Sequence, residues 1–542
     1  MEEFGLAPPS AKTEGLLHFV KETTKHTSIY GMGGMATKVI GFFLLPLYTH
    51  YLTPADYGVL GLLYITMRVL DIVVIQGLTT SIFRAYSFDY KGDPANQREA
   101  INTAYYYSIG SAVLLFGFLS LFAGPFNSLV FKDGEWTHLF RMMFLAGIFR
   151  ATQNIPRQIM RAHRQSVAYS TIQLCDMVSA ALLNVWFIVG MKLGLAGIVY
   201  SEVIREAALM VVFFFPIRRY LTRQFSKAKL TEMLAFGLPK VPGGLSFLVL
   251  SASDRYFLEH YSTPTELGLY SVGYRLASLL GDFAIQPFLQ TWPTMYFPLC
   301  KDAKDEGKGI LGRFLTYFLI VVGFIALGIC VFVRPLLTVM ADEKFHEAYR
   351  VVPLVVLALV FSGLYRVLIV GVNIKKKNLW LPVMVGGAAI INIIFNFLLI
   401  PRWGMMGAAW ATVIAYIAMC TASYIVDHYY FPIQYEWSRI LKVGAALGTT
   451  YTISVFVTPD HLLGQIVSGT AMMLLFPTLL GVLGFYNDSE LKRLKKIVNS
   501  PVFRRATQAA ADPKPADRAA RQRSSEPEAE LVGASAPFDP RD

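Results

Sequence analysis

Charged residues are scarce in this sequence, and their scarcity limits the class of protein that it can encode. Only 16% of the 542 residues are Asp, Glu, Lys or Arg, whereas soluble domains contain about 25%. Apolar residues make up 54% and form long runs, including Ala112 to Phe122 and Phe314 to Val333. A helix needs about 20 such residues to cross the hydrocarbon core, and lipid offers the backbone no hydrogen-bond partner. The sequence therefore predicts an all-α polytopic membrane protein.

Several functional classes lack the residues that they require. The four cysteines, Cys175, Cys300, Cys330 and Cys420, form no close-spaced set, so neither a disulfide framework nor a metal site is expected. The phosphate-binding G-x-x-x-x-G-K-[ST] loop, the G-x-S-x-G elbow and the H-E-x-x-H motif are missing, so we expect no catalytic residue and no cofactor. The net charge of +12 lies in short clusters between apolar runs. Without a zinc-finger or RNA-binding motif, those clusters do not predict nucleic acid as a partner.

Polar breaks divide residues 28–486 into about fourteen predicted transmembrane helices. Lys and Arg cluster in alternate loops, as at Lys375 to Lys377, and are almost absent from the loops between them. By the positive-inside rule both termini are predicted to be cytoplasmic. Arg334 and Lys344 are exceptions, because they flank a loop that this topology places outside.

An internal repeat divides the spans into two groups. Residues 51–58 (YLTPADYG) align with residues 261–268 (YSTPTELG) at an offset of 210 residues, and the same offset pairs Gly194 with Gly404. Such repeats predict two six-helix pseudo-symmetric lobes of one topology, followed by two extra C-terminal helices. Asp56 and Glu266 are repeat partners, which predicts a turn or helix-capping role rather than catalysis.

The predicted organisation has five parts, of which the first and last lie outside the membrane. The last part begins as a basic amphipathic helix and continues as a disordered cytoplasmic tail. The parts are residues 1–27 (cytoplasmic segment), 28–220 (N-lobe), 235–430 (C-lobe), 439–486 (two added spans) and 490–542 (tail).

Ionisable residues inside spans are the candidate functional residues, since burying a charge in a membrane is costly. Counting residues from each turn places Lys38, Arg68 and Asp71 at one depth. It places Asp254, Arg255 and Arg275 at another, which predicts an Asp254–Arg275 pair. The neighbours Asp254 and Arg255 are expected to point in different directions. Glu202, Arg205 and Glu206 are predicted to neutralise one another, and Arg150 to pair with Asp176.

The eighth predicted span carries polar residues at steps of three or four, which places them on one helix face. They are Arg275, Ser278, Asp282, Gln286 and Gln290. This face either lines a cavity or forms a buried network between the lobes. Arg366 is either cavity-facing or interfacial.

A cavity reached by several cations favours an anionic substrate, because guanidinium groups match phosphate oxygens. The predicted substrate-binding residues are Lys38, Arg68, Arg255, Arg275, Gln286 and Gln290. The predicted residues for coupling to protons or sodium are Asp71, Asp254 and Asp282.

Three sequence elements resemble the polysaccharide-transport family. They are residues 52–58, the Ser253-Asp-Arg255 run followed by residues 266–271, and residues 392–396 followed by Gly404-x-x-Gly407. They are similar to Wzx-like flippases of lipid-linked oligosaccharides, relatives of the lipid II flippase and multidrug-extrusion (MATE) proteins in the MOP superfamily. The resemblance implies a transporter in cell-envelope polysaccharide biosynthesis, which moves a polyprenyl-pyrophosphate-linked oligosaccharide or polysaccharide repeat unit across the inner membrane by alternating access.

The same resemblance implies that spans 1, 2, 7 and 8 line the cavity and that spans 13 and 14 shelter the lipid tail. It also implies membrane lipids and polysaccharide-assembly proteins as partners. Two alternatives remain open at this point. A multidrug or cation antiporter would favour an acidic, aromatic cavity, and a membrane glycosyltransferase or ligase would need a long outer loop with acidic residues.

Overall fold

The structure is a computed structural model that describes most of the chain between residues 34 and 490. The described residues are 34, 38–132, 136–163, 165–289, 292, 295–296, 304–487 and 490, with the backbone alone at 304–307. The predicted N-terminal segment 1–27, the tail beyond residue 490 and the candidate Gln290 lie outside them.

Helices dominate the described chain, as its composition predicts. Residues 38–43 are helical, and the helices that follow are α1 (Leu45–Tyr51), α2 (Pro54–Ile75), α3 (Leu78–Arg84), α4 (Pro94–Leu121), α5 (Ala123–Val130), α6 (Thr137–Ala162), α7 (Ser166–Val185) and α8 (Gly194–Arg218). Two π-helical turns, Ala85–Asp89 and Trp186–Gly190, follow α3 and α7.

The second part of the described chain is equally helical. Its helices are α9 (Lys227–Gly237), α10 (Val241–Tyr261), α11 (Pro264–Ala277), α12 (Lys304–Met340), α13 (Val352–Leu368), α14 (Val370–Ile374), α15 (Trp380–Tyr430), α16 (Trp437–Phe456) and α17 (Leu462–Val482). A π turn at Gly281–Ile285 follows α11, and 3-10 helices occupy Leu238–Lys240 and Glu343–Arg350.

Eight helical segments of the described residues are long and apolar enough to cross a membrane. One of them, the 51-residue α15, is broken at Gly404, where φ is +53°, so it covers two of the predicted spans. Helices α6 and α8 have 26 and 25 residues, but they carry several charges that reduce their hydropathy. The all-α multi-pass membrane fold is confirmed, whereas the number of fourteen spans stays a prediction.

Helices α2 and α11 begin at the repeated Thr-Pro motifs. The Thr53 hydroxyl accepts a hydrogen bond from Asp56 N (3.1 Å), and the Asp56 carboxylate accepts one from Thr53 N (3.0 Å). At the equivalent position the Thr263 hydroxyl accepts from Glu266 N (3.2 Å). These contacts satisfy amide groups that have no partner in the first turn of a helix. The predicted turn role of Asp56 and Glu266 is confirmed.

Glu266 also holds the break in α15. Its carboxylate accepts a hydrogen bond from Met405 N at 3.0 Å, and a Cβ on Gly404 would overlap the same carboxylate. Gly194, the repeat partner of Gly404, has the same left-handed φ of +53°. The common conformation supports the 210-residue repeat, although the division into two lobes stays a prediction.

The packing of the helices sets the position of the main cavity. Helix α2 packs against α10 and α11, and α15 packs against both α10 and α13. In the first part, α6 packs between α4 and α8. Contacts group the chain into a unit that ends at Phe476 and a short unit from Pro477 onward. In the short unit, the Tyr486 hydroxyl donates to the Pro477 carbonyl (3.4 Å).

Candidate substrate cavity

A cavity of about 580 Å³ lies where α2, α10, α11, α13 and α15 meet. Most of the charged candidates from the sequence line it together. The charged lining residues are Lys38, Arg68, Arg255, Arg275, Arg366 and Asp282. Among the residues that the structure describes, five cations and one carboxylate therefore line this space.

Arg275 projects from α11 towards the first helices of the chain. Its guanidinium donates to the Gly41 carbonyl at 2.6 Å and to the Tyr57 hydroxyl at 3.4 Å. The predicted Asp254–Arg275 pair is wrong, because Asp254 has other partners. The two residues lie at similar depth, but equal depth does not fix the direction in which each side chain points.

Asp254 is 1% exposed and does not line the cavity. Its carboxylate accepts hydrogen bonds from the Tyr270 hydroxyl and from Arg255 N (2.9 Å). The Arg255 guanidinium lies 3.5 Å from the same carboxylate and 4.3 Å from the centre of the Tyr274 ring. The expectation that Asp254 and Arg255 point apart is therefore wrong, since the long Arg255 side chain folds back.

Lys38 and Asp282 form an ion pair at the cavity wall. Their Nζ and Oδ1 atoms are 2.7 Å apart, and each side chain is 37% exposed. Lys38 belongs to the first predicted span, and Asp282 lies in the π turn after α11. The pair therefore joins segments of the two predicted lobes.

Arg68 and Arg366 have no carboxylate within 4 Å among the described residues. Arg366 instead lies over the Phe247 ring, 5.4 Å from its centre. It was predicted to face either the cavity or the membrane interface, and the structure shows that it faces the cavity. Gln286 lines the cavity as predicted. Gln290 lies outside the described residues.

Hydroxyl groups complete the lining, and sequence reasoning missed most of them. Ser278 was placed on the polar face of its span, but the others stood in no pattern that distinguishes a cavity hydroxyl from one bonded to its own helix. The lining hydroxyl residues are Ser251, Ser271, Ser278, Ser362, Tyr57, Tyr64, Tyr274 and Tyr416.

Asp71 lies away from the cavity, in a partly buried ion network. Arg150 donates to Asp71 (3.0 Å), Glu202 (2.7 Å) and Glu206 (2.9 Å). The predicted Arg150–Asp176 pair is wrong, as Asp176 pairs with Arg205. Of Glu202, Arg205 and Glu206, which were predicted to neutralise one another, only Arg205 and Glu202 form an ion pair with each other (2.5 Å).

This network joins four helices, α2, α6, α7 and α8, through two arginines and four carboxylates. No group of three or more His, Cys, Asp or Glu side chains in the described part of the chain is arranged to hold a metal ion. Asp71 is thus separated from the cavity cations with which it shares a depth.

Comparison with known sequences finds a similar family and similar proteins over about half of the chain. A family model described as "Polysaccharide biosynthesis protein" matches residues 49–310. The "Lsg locus putative protein 1" of Haemophilus influenzae is 25% identical over 299 residues, which cover 52% of this chain and 67% of that protein. An "Uncharacterized membrane protein" of the same organism is 24% identical over 48% of this chain and 62% of its own length.

Comparison with solved structures identifies the fold. The structure titled "Lipid II flippase MurJ, inward closed conformation" matches with a TM-score of 0.67 at 14% identity, over 83% of this chain and 98% of that one. A multidrug resistance MATE family transporter of the MOP superfamily, in an inward-facing conformation, matches with a TM-score of 0.59 at 15% identity, over 74% and 97%. The resemblance seen in the sequence is confirmed: the chain is similar to the polysaccharide biosynthesis protein family over residues 49–310, and it has the fold of the lipid II flippase and of the MATE transporter.

Proposed function

We propose that this protein is a flippase that moves a polyprenyl-pyrophosphate-linked oligosaccharide or repeat unit across the bacterial inner membrane. The proposal includes cytoplasmic termini, the repeated Thr-Pro turns on the outer side, and transport by alternating access rather than catalysis. Polysaccharide-assembly proteins are its expected partners. The family match and the shared fold support a transporter of this kind.

The observation that carries the proposal is the charge of the cavity. Its lining has five cations and one carboxylate, Asp282, which is already paired with Lys38. In surroundings of low dielectric constant an uncompensated cation costs several kcal/mol, unless a carboxylate or a bound anion lies nearby. A pyrophosphate supplies that anion, and arginine matches its oxygens with two parallel hydrogen bonds.

The size and the neutral lining fit the rest of this substrate. A volume of about 580 Å³ lies within the roughly 300–1,000 Å³ typical of ligand pockets. The Ser and Tyr hydroxyls can exchange hydrogen bonds with sugar hydroxyls without selecting one sugar. The lipid tail can stay in the bilayer while the head occupies the cavity.

The Lys38–Asp282 pair provides a means of coupling. A substrate phosphate that binds Lys38 removes the partner of Asp282, which favours uptake of a proton or a sodium ion by this carboxylate. Asp71 and Asp254 are less suited to this role, because Arg150 and the Tyr270–Arg255 group already hold them away from the cavity. We therefore place coupling at Asp282.

A multidrug or cation antiporter is the second candidate, supported by the fold shared with the MATE transporter. The excess of cavity cations argues against it, since cationic drugs would be repelled. A membrane glycosyltransferase or ligase has less support, because the one lining carboxylate is engaged with a lysine.

Transport by the purified protein in proteoliposomes tests the proposal. A fluorescent short-chain polyprenyl-pyrophosphate oligosaccharide should move to the opposite leaflet, where a membrane-impermeant quencher reaches it. A cationic dye should not be exported. Export of the dye without movement of the pyrophosphate would instead establish the antiporter.

A further inference from the structure

A second, smaller cavity lies apart from the substrate cavity, at the end of the bundle where Thr53 and Thr263 form their turns. Its volume is about 60 Å³, and it lies between α12, α16, α17 and the 3-10 helix Glu343–Arg350. Lys344 of that 3-10 helix donates to the His50 carbonyl at the end of α1 (3.5 Å). Since α1 ends next to the Thr53 turn, this contact shows at which end of the bundle the cavity lies. At roughly 15 Å³ for each water-sized group, the cavity has room for a phosphate head but not for a sugar chain.

Arg334 is the charged residue of this cavity. None of the described lining residues is acidic, and no carboxylate of the described chain lies within 4 Å of the Arg334 guanidinium. Its one described partner is the Tyr349 ring, whose centre is 4.0 Å away. An arginine has five N–H donors, and a ring face satisfies few of them.

Polar groups around Arg334 complement an anion. Tyr349, Tyr451 and Gln465 line the cavity, and each can donate a hydrogen bond. The Gln465 Oε1 atom is buried with no hydrogen-bond partner. Rotation of this amide by 180° would place its NH2 group there, as a donor to a bound anion.

The position of Arg334 along α12 agrees with a lipid headgroup as the source of a bound phosphate. Arg334 lies six residues before the end of α12, about 9 Å at 1.5 Å per residue, close to the headgroup level of a bilayer. Arg334 and Lys344 also flank the loop whose charge the predicted topology does not explain. Binding of a phosphate would account for a cation on the predicted outer side of the membrane.

We propose that the Arg334 cavity binds one phosphate group, from a phospholipid headgroup or from soluble phosphate. Arg334 supplies the charge, the Tyr349 ring holds its guanidinium in place, and Tyr451 and Gln465 donate hydrogen bonds. The site is separate from the substrate cavity and does not depend on the proposed transport activity.

Thermal unfolding of the purified full-length protein tests this site. Three probes are added separately: dihexanoyl phosphatidylglycerol, inorganic phosphate and the uncharged dihexanoylglycerol. A saturable rise in unfolding temperature with either phosphate probe, and none with dihexanoylglycerol, is expected. A rise with phosphatidylglycerol alone identifies the headgroup source, and an equal rise with inorganic phosphate identifies the soluble source.

Variants assign the response to Arg334. Arg334→Met should weaken phosphate binding ten-fold or more, as expected from loss of a charge-assisted hydrogen bond. Tyr451→Phe keeps the ring and should weaken binding a few-fold. The exposed Arg350, which pairs with Glu347 (3.3 Å) at the same end of the bundle, provides the control, and Arg350→Met should bind as the unaltered protein does.

The substrate cavity must be separated from this site. The same titration in an Arg68→Ala/Arg275→Ala protein should retain the Arg334-dependent response. The proposal is overturned if no phosphate probe stabilises the protein, if Arg334→Met binds as tightly as the unaltered protein, or if the response disappears in the Arg68/Arg275 double variant. If Arg334→Met does not fold, unaltered binding by both Tyr451→Phe and Arg334→Lys overturns it.

Discussion

Gly58 and Gly268, which occupy equivalent positions in the two repeats, lie against each other where α2 packs on α11. A Cβ on Gly58 would lie 3.1 Å from Gly268 N, and one on Gly268 would overlap the Pro54 carbonyl oxygen. The Thr-Pro motif of each repeat thus brings a glycine to the same contact. Because small residues let membrane helices approach closely, this contact holds the two turns together at one end of the bundle.

Gly268→Ala should destabilise the protein more than Gly58→Ala. The added methyl of Gly268→Ala would overlap the Pro54 carbonyl, which is backbone and cannot move aside. That of Gly58→Ala meets the Leu267 side chain at 2.9 Å and Gly268 N only at 3.1 Å. Overpacking of this kind costs about 1–3 kcal/mol, visible as a lower unfolding temperature. Gly110→Ala is the control, since its methyl would meet nothing within 4 Å. Equal behaviour of Gly268→Ala and Gly110→Ala would contradict this interpretation.

Arg68→Ala and Arg275→Ala should abolish lipid-linked oligosaccharide flipping while the protein still accumulates in the membrane. Lysine should substitute poorly at both positions if bidentate phosphate binding is the reason for arginine. Flipping is measured in proteoliposomes, with Arg402→Ala, at an exposed site that does not line the cavity, as the control. Normal transport by Arg68→Ala and Arg275→Ala would exclude both from substrate binding.

Asp282→Asn should still fold but lose the response of transport to pH or sodium. Asparagine keeps the shape and part of the hydrogen bonding to Lys38, but it does not titrate at these pH values. Initial flipping rates are compared across pH and sodium gradients, with Asp71→Asn as the variant outside the cavity. A wild-type response in Asp282→Asn would show that coupling lies elsewhere.

Arg150→Met should destabilise the protein strongly. It leaves Asp71, Glu202 and Glu206 without their common partner, and breaking a buried ion pair from one side costs about 3–5 kcal/mol. Arg157→Met is the matched control on the same helix, since Arg157 donates to the uncharged Gln153 (2.5 Å). Unfolding temperatures and membrane yields of the two variants are compared, and similar values would argue against a structural role for the network.

Cysteines at positions 55 and 265 should react from outside the cell, and a cysteine at position 376 should not. The native cysteines are first replaced, and a membrane-impermeant maleimide is used on intact cells. Both Thr-Pro turns are predicted to be outside, and Lys376 lies in a basic loop predicted to be inside. Reaction at position 376 from outside would overturn the predicted topology.

The sequence revealed the cavity cations but not their partners. Depth counting uses only the rise per residue of a helix. Lys38 and Arg68, which it placed at one depth, line the cavity, and so do Arg255 and Arg275, which it placed at another. Pairing also depends on how each helix is rotated about its axis, and tertiary packing determines that rotation. Asp71 and Arg68 therefore lie close in sequence and depth, yet Asp71 faces Arg150 and Arg68 faces the cavity.

Periodicity was a better guide than depth along the eighth predicted span. Arg275, Ser278, Asp282 and Gln286 all line the cavity, although the π turn Gly281–Ile285 interrupts the α-helix. The turn motifs were also predicted correctly. Thr-Pro with an acidic residue two positions after the proline is a sequence signature of the start of a helix. Neither periodicity nor a turn motif distinguishes the hydroxyl residues that line the cavity from other Ser and Tyr residues.

The partly buried ion network of Arg150 and Arg205 has a mechanical consequence. Pulling α2, α6, α7 and α8 apart would leave unpaired charges in surroundings of low dielectric constant, so we expect these four helices to move as one rigid block. Any bending during transport then falls on joints outside that block. The chain already has such a joint at Gln76 and Gly77, whose φ angles of +48° and +73° break the helix just after α2. We therefore expect charges outside the proposed substrate cavity to determine where the protein can bend.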